Sequence, residues 1–133
     1  MMISRMLIGL LWLGSLGFVA PVVGADHTTD SLDVVQQAVK NEKAIIIDVR
    51  EQEEWNNGHL KDAKLLPLSL LNKGITAEEA GKVCPKGKIV YCHCAFGSRA
   101  LTAADHLKKL GYDVRPLKPG YTALKKAGFP TEK

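Results

Sequence analysis

Apolar side chains fall along this chain in two patterns, stripes at helical spacing and short continuous runs. Leu32, Val35, Ala38 and Val39 share a helical stripe behind Thr29, Asp30 or Ser31 as candidate caps, which predicts a helix to about Asn41. Ala44-Ile45-Ile46-Ile47 is a continuous apolar run, rich in β-branching, that ends at Asp48. Such a run predicts a parallel strand buried on both faces. Glu51 to Trp55 reads as a short helical turn closed by Asn57-Gly58, and Ala63 to Leu68 as a short strand interrupted by Pro67. Thr76 and Glu79 have the capping-box spacing and open a helix to Val83. Lys88 to His93 is the central strand. Leu101, Ala104, Leu107 and Leu110 put a helix over Ala100 to Leu110, with Gly111 where a cap belongs. A strand over Val114 to Leu117 and a helix over Tyr121 to Ala127, ended by Gly128, complete the series.

Strands and helices alternate throughout. That order predicts a three-layer α/β/α fold with a central, mainly parallel sheet. In such sheets the ligand site lies at the carboxyl ends of the strands. Cys94 stands at that end of the central strand.

The first 25 residues break the pattern. Met1 to Arg5 carries one base and no acid, Met6 to Val23 is almost wholly apolar, and Val23-Gly24-Ala25 places small or modest side chains where a signal peptidase reads. This is the layout of a secretory signal peptide with cleavage expected after Ala25. Left uncleaved, the same run is long enough to serve as an N-terminal membrane anchor. Either way one folded domain is expected over 26–133, exported to the periplasm or secreted. The excess of 18 bases over 14 acids is small and scattered, which argues against a nucleic-acid partner. Three cysteines, Cys84, Cys92 and Cys94, are too few and too odd in number for a disulfide scaffold.

Strand, cysteine, short loop and helix form a chemical device. From Cys94 the loop runs Ala95-Phe96-Gly97-Ser98-Arg99. Its backbone N–H groups can curl around the sulfur as an anion-binding nest, and the following helix aims its positive end at the same point. Both effects favour a thiolate at Cys94. Gly97 permits a backbone conformation closed to other residues, Ala95 and Ser98 keep the loop narrow, and Arg99 adds a planar cation suited to an oxyanion. Such a site fits sulfane-sulfur transfer or phosphoryl transfer through a covalent intermediate.

Asp48-Val49-Arg50-Glu51 with Glu54 and Gly58-His59, then Tyr91-Cys92-His93-Cys94-Ala95-Phe96-Gly97-Ser98-Arg99-Ala100, resemble the two signatures of the rhodanese superfamily. Leu107, Leu110-Gly111-Tyr112 and Ala127-Gly128-Phe129-Pro130-Thr131 resemble its later landmarks. The resemblance implies a single-domain sulfurtransferase of the thiosulfate type. Cys94 would attack the outer sulfur of a small anionic donor, and the persulfide would pass to cyanide or a thiol. Ala95, Phe96, Gly97, Ser98 and Arg99 would bind the substrate, while Asp48 and Arg50 would brace the loop from behind. No metal or organic cofactor is implied. In this superfamily six-residue loops accompany sulfur transfer, and the related dual-specificity phosphatases carry one residue more. Six residues separate Cys94 from Arg99 inclusively, and eight count from Cys92, which selects Cys94 and sulfur.

Other residues carry two readings. Cys92 shares a strand face with Cys94 and is read as core, with a resolving thiol as the alternative. Cys84 is read as incidental, although a bridge to Cys92 stays open. His93 faces away from Cys94 and is read as structural, and His59 as a hydrogen-bonding turn residue. Phe96 is placed to cover the sulfur or narrow its mouth. Lys118-Pro119-Gly120-Tyr121 departs from the two glycines and tryptophan of many family members and makes the rim more basic. Competing functions are a non-turnover sulfur carrier or partner-docking module, and a Cys92/Cys94 thiol redox protein. The expected state is a monomer, with membrane contact only through an uncleaved leader.

Overall fold

The computed structural model describes Gly17 and residues 24–133. The expected leader lies outside the described residues, apart from Gly17, Gly24 and Ala25. In chain order the elements are α1 (Leu32–Lys40), β1 (Ala44–Asp48), α2 (Gln52–Asn56), β2 (His59–Leu60), β3 (Ala63–Leu65) and α3 (Leu68–Lys73). There follow α4 (Ala77–Gly81), β4 (Ile89–His93), α5 (Ser98–Lys109), β5 (Asp113–Pro116), α6 (Tyr121–Lys126) and β6 (Thr131–Glu132). Four strands form a parallel sheet in the order β3-β1-β4-β5. A second, antiparallel pair joins β2 to β6, with His59 opposite Glu132.

The continuous apolar run of β1 has a direct physical reading. Ile47 packs with Val90 and Cys92 of β4 against Leu71 of α3, Ala80 of α4 and Leu107 of α5. Ile46 points the other way and packs with Tyr91 against Val35 of α1 and Leu124 of α6. A strand buried on both faces needs apolar residues at every position, so the run does not alternate. The result is three layers, as expected.

Caps behave as their chemistry dictates. Ser31 is the α1 cap and accepts from Val34 N–H, and Thr76 with Glu79 closes a capping box on α4. Gly111 follows α5 in the left-handed region (φ 91°). One expectation is corrected at Pro67. The strand ends at Leu65, and Pro67 starts α3 as its cap with φ −59° and ψ 139°. A proline ring fixes φ and lacks an N–H, so it serves a helix entry better than a strand interior. Helix α5 also starts at Ser98 rather than Ala100, which tightens the Cys94 loop.

Between β1 and β4 the strand order reverses: the chain leaves β1 toward β3 on one side, and β4 toward β5 on the other. Such a reversal leaves a crevice at the carboxyl ends of the two strands. Asp48 ends β1, opposite His93 in register, and Cys94 follows β4.

Candidate active site

Cys94 leaves β4 buried, 1% exposed. Three residues on, Gly97 adopts φ 96° and ψ −25° as the cap of α5. This left-handed turn points the Gly97 N–H at Cys94 Sγ, at 2.9 Å. The sulfur therefore sits at the amino end of a 12-residue helix, where unsatisfied N–H groups favour negative charge. Of the loop amides expected to form the nest, Gly97's is the one bonded to the sulfur.

The loop is gripped from outside by the turn before α6. Tyr121 N–H donates to Cys94 O at 2.9 Å. Gly120 has an ordinary extended backbone, yet no other residue fits there. A Cβ on Gly120 would stand 1.7 Å from Ala95 O and 2.3 Å from Ala95 C. Gly120→Ala is thus expected to cost about 3 kcal/mol, at the upper end of overpacking penalties. Gly81→Ala, with nothing within 4 Å of its Cβ at the end of α4, should be neutral or stabilising by about 0.5–1 kcal/mol. Urea unfolding of the two variants checks both signs.

Arg99 is not a free cation. Its Nη1 and Nη2 donate to Glu54 Oε1 and Oε2 at 2.6 and 2.9 Å. The guanidinium expected to meet an oxyanion is instead forked onto α2, which anchors α5. This hydrogen bond, with help from Glu51 N–H, holds the Glu54 carboxyl at about 2, below its ordinary 4.5, against the opposing effect of burial. A depressed carboxylate stabilises the fold fully above pH 4.5 and loses that contribution as pH falls toward 2. The two side chains are 32% and 35% exposed, so solvent screening reduces the pair to about 1 kcal/mol. Wild type should therefore lose about 1 kcal/mol more than Glu54→Gln across that window. Parallel stability–pH curves for the two proteins would overturn this.

Behind the loop lies a buried ion pair. Arg50 is 5% exposed and Asp48 fully buried. Arg50 Nε and Nη2 donate to the Asp48 carboxylate at 2.8–3.1 Å, and Nη2 also to Gly58 O at 2.8 Å. Its guanidinium lies 4.2 Å over the Tyr121 ring. The pair thus ties the end of β1 to the α2–β2 turn and to the residue that bonds Cys94 O.

His93 faces away from Cys94, as strand alternation requires. It is fully buried, and Nδ1 lies 3.3 Å from Cys94 O, which assigns the ring proton to Nδ1. Burial pushes its pKa down, Asp48 opposing, and keeps the ring neutral. Its Nε2 stands 3.7 Å from Asp48 Oδ2, outside hydrogen-bond range. His59 bonds Trp55 O and Glu132 and stacks on Trp55, so it holds the β2–β6 pair together.

Cys92 is fully buried and its Sγ donates to Ala100 O at 3.4 Å. Burial pushes its thiol far up, with Cys94 and Cys84 adding to the shift. Cys84 is pushed up to about 11 by burial. All three cysteines are free thiols, with no Cys84–Cys92 bridge. Phe96 does not cover the sulfur: it is 91% exposed and projects from the loop into solvent. Ser98 and Lys118 are exposed on the rim. The Glu54 fork and the close seat of Gly120 are not evident from the sequence. The first was signalled only by Glu54's place in the motif, the second only by the Pro119-Gly120 turn.

Known proteins are similar to this chain in sequence and in fold. Uncharacterized protein slr1261 of Synechocystis sp. is 34% identical over 108 residues, covering 80% of this chain and 57% of that protein. A protein named sulfurtransferase from Allochromatium vinosum is 30% identical over 102 residues, 76% of this chain and 90% of its own. Among solved structures, the Rhodanese_3-like domain of Anabaena sp. Alr3790 superposes with a TM-score of 0.57 at 30% identity, covering 67% of this chain and 98% of that domain. The chain spans little more than half of the Synechocystis protein, and about a fifth of several larger adenylyltransferase and sulfurtransferase proteins that it also matches. The profile of the rhodanese-like domain matches residues 31–127, from the cap of α1 past the end of α6, and the chain belongs to that family.

Proposed function

We propose that the protein is a sulfurtransferase that moves sulfane sulfur through a persulfide on Cys94. The observation that carries this reading is the Gly97 N–H on Cys94 Sγ at 2.9 Å, inside a six-residue loop that opens α5. Relatives named sulfurtransferase support it at the level of the reaction class. With thiosulfate as donor, the Cys94 thiolate attacks the outer sulfur. A bond forms between the two sulfurs, and sulfite departs with the electron pair of the bond that breaks. Cyanide or a thiolate then attacks the outer sulfur of the persulfide, and the Cys94 thiolate leaves. In each step negative charge sits on sulfur next to the helix end and the Gly97 donor, which favours that charge without reorganisation.

The Cys92/Cys94 redox reading finds less support. Cys92 is sealed in the core, and burial there disfavours its thiolate. We also propose that the domain works outside the cytoplasm behind the leader over residues 1–25, which N-terminal sequencing of the expressed protein would test. The test of function is incubation with thiosulfate, intact-mass measurement for one added sulfur, and then cyanide-dependent release of thiocyanate. No added sulfur would defeat the proposal. Added sulfur without release to cyanide would favour a carrier.

A further inference from the structure

The segment before α1 lies against the functional loop. Residues 25–30 run as a strap along the carboxyl edge of the sheet, outside the stretch that matches the family profile. Ala25 N–H donates to Asp105 of α5 at 2.8 Å, and Thr28 N–H to Pro116 O at the end of β5, also at 2.8 Å. Asp30 accepts from Tyr91 Oη at 2.7 Å and from Arg115 Nη1 at 2.8 Å. Between these anchors the half-buried His27 points inward, and its Nε2 lies 3.0 Å from Gly97 O. The acceptor is a carbonyl, so Nε2–H is the donor.

Gly97 is the residue whose left-handed backbone turns its N–H onto Cys94 Sγ. It is packed on the other side too: a Cβ there would meet Lys118 O at 2.7 Å and His27 Nε2 at 3.2 Å. The Lys118 carbonyl is itself an acceptor and cannot bond Gly97 O. Among the described residues His27 is the side chain that bonds the Gly97 carbonyl. We propose that His27 is a positioning residue for the Cys94 loop: its bond to Gly97 O fixes the Gly97–Ser98 peptide, and with it the left-handed turn at Gly97 that aims the N–H of the adjoining Phe96–Gly97 peptide at the sulfur. The proposal deepens the sulfur-transfer reading, on which its kinetic half rests. Thr28 and Asp30 lie after the expected cleavage point at Ala25, so these anchors persist with or without the leader.

The test compares the full chain with His27→Ala and His27→Gln, whose amide can also donate to the Gly97 carbonyl. Hydrogen exchange of the Gly97 amide, read by NMR, reports the loop independently of sulfur chemistry. His27→Ala should speed Gly97 exchange by about 10-fold while the core amide of Val90 is unchanged. Cys94 persulfide formation at saturating thiosulfate should slow by about 10-fold, with the half-saturating concentration moved less than about twofold. Gln should restore both. Unchanged Gly97 exchange in His27→Ala, or equal acceleration at Val90, would overturn the role of His27. A wild type that takes up no sulfur would defeat the sulfur-transfer reading instead, and the exchange data would still judge His27.

Discussion

Serine in place of Cys94 is expected to abolish sulfur uptake and thiocyanate release, a loss of at least about 10³-fold. The reason is chemical. The proposed route needs a sulfur–sulfur bond on this side chain, and a hydroxyl oxygen is neither a thiolate nor able to form one. The fold should survive, because serine is close in size and can still accept the Gly97 N–H now bonded to Sγ. Intact mass after thiosulfate treatment, with a thermal midpoint as control, separates lost chemistry from lost structure. Cys92→Ala gives the contrast: its thiol bonds Ala100 O in the core, so sulfur uptake should persist while stability falls modestly. Sulfur uptake by Cys94→Ser would move the nucleophile to another cysteine and sink the assignment.

Arg50→Met should destabilise the domain by about 3–5 kcal/mol, because it strands the Asp48 carboxylate in the core. Asp48 is fully buried and Arg50 is 5% exposed, so water cannot replace the lost partner. One compensation remains, the Arg50 backbone N–H to Asp48 Oδ1 at 2.9 Å. Gly58 O loses its donor and Tyr121 loses the guanidinium above its ring. Against a usual total stability of about 5–15 kcal/mol, that loss brings the fold near its limit. The measurement is a urea titration of wild type, Arg50→Met and the double variant Asp48→Asn/Arg50→Met. The double variant should recover part of the loss, since the stranded charge is gone. A cost below about 1 kcal/mol for Arg50→Met would show that Asp48 is not stranded.

Much of this was legible beforehand. The unbroken run Ala44 to Ile47 announced a strand covered on both faces, and it is. Thr76-x-x-Glu79 announced a capped helix, because both partners of a capping box lie within one turn. Period-two alternation from Cys92 to Cys94 is enough to put His93 on the far face. Strands β2 and β6 were not legible, since two residues each carry no periodicity. Helix α3 was hidden because Pro67 read as a flaw in a strand rather than the entry to a helix.

The sequence by itself determined the layers and the six-residue spacing from Cys94 to Arg99 on which the proposed nucleophile rests. Each depends on contacts between neighbours in the chain, on strand alternation, or on motif spacing. Only the tertiary structure decided what surrounds that loop. Glu54 and Arg99 are 45 residues apart, and His27 and Gly97 are 70 apart. Gly120 seats against Ala95 only because the turn before α6 returns to the carboxyl end of β4. Such meetings follow from how the chain folds back across the ends of the strands, which no local pattern of residues encodes. Phe96 makes the same point in reverse. Its place at the loop's midpoint suggested a cover for the sulfur, and the left-handed turn at Gly97 accompanies a ring that faces solvent instead.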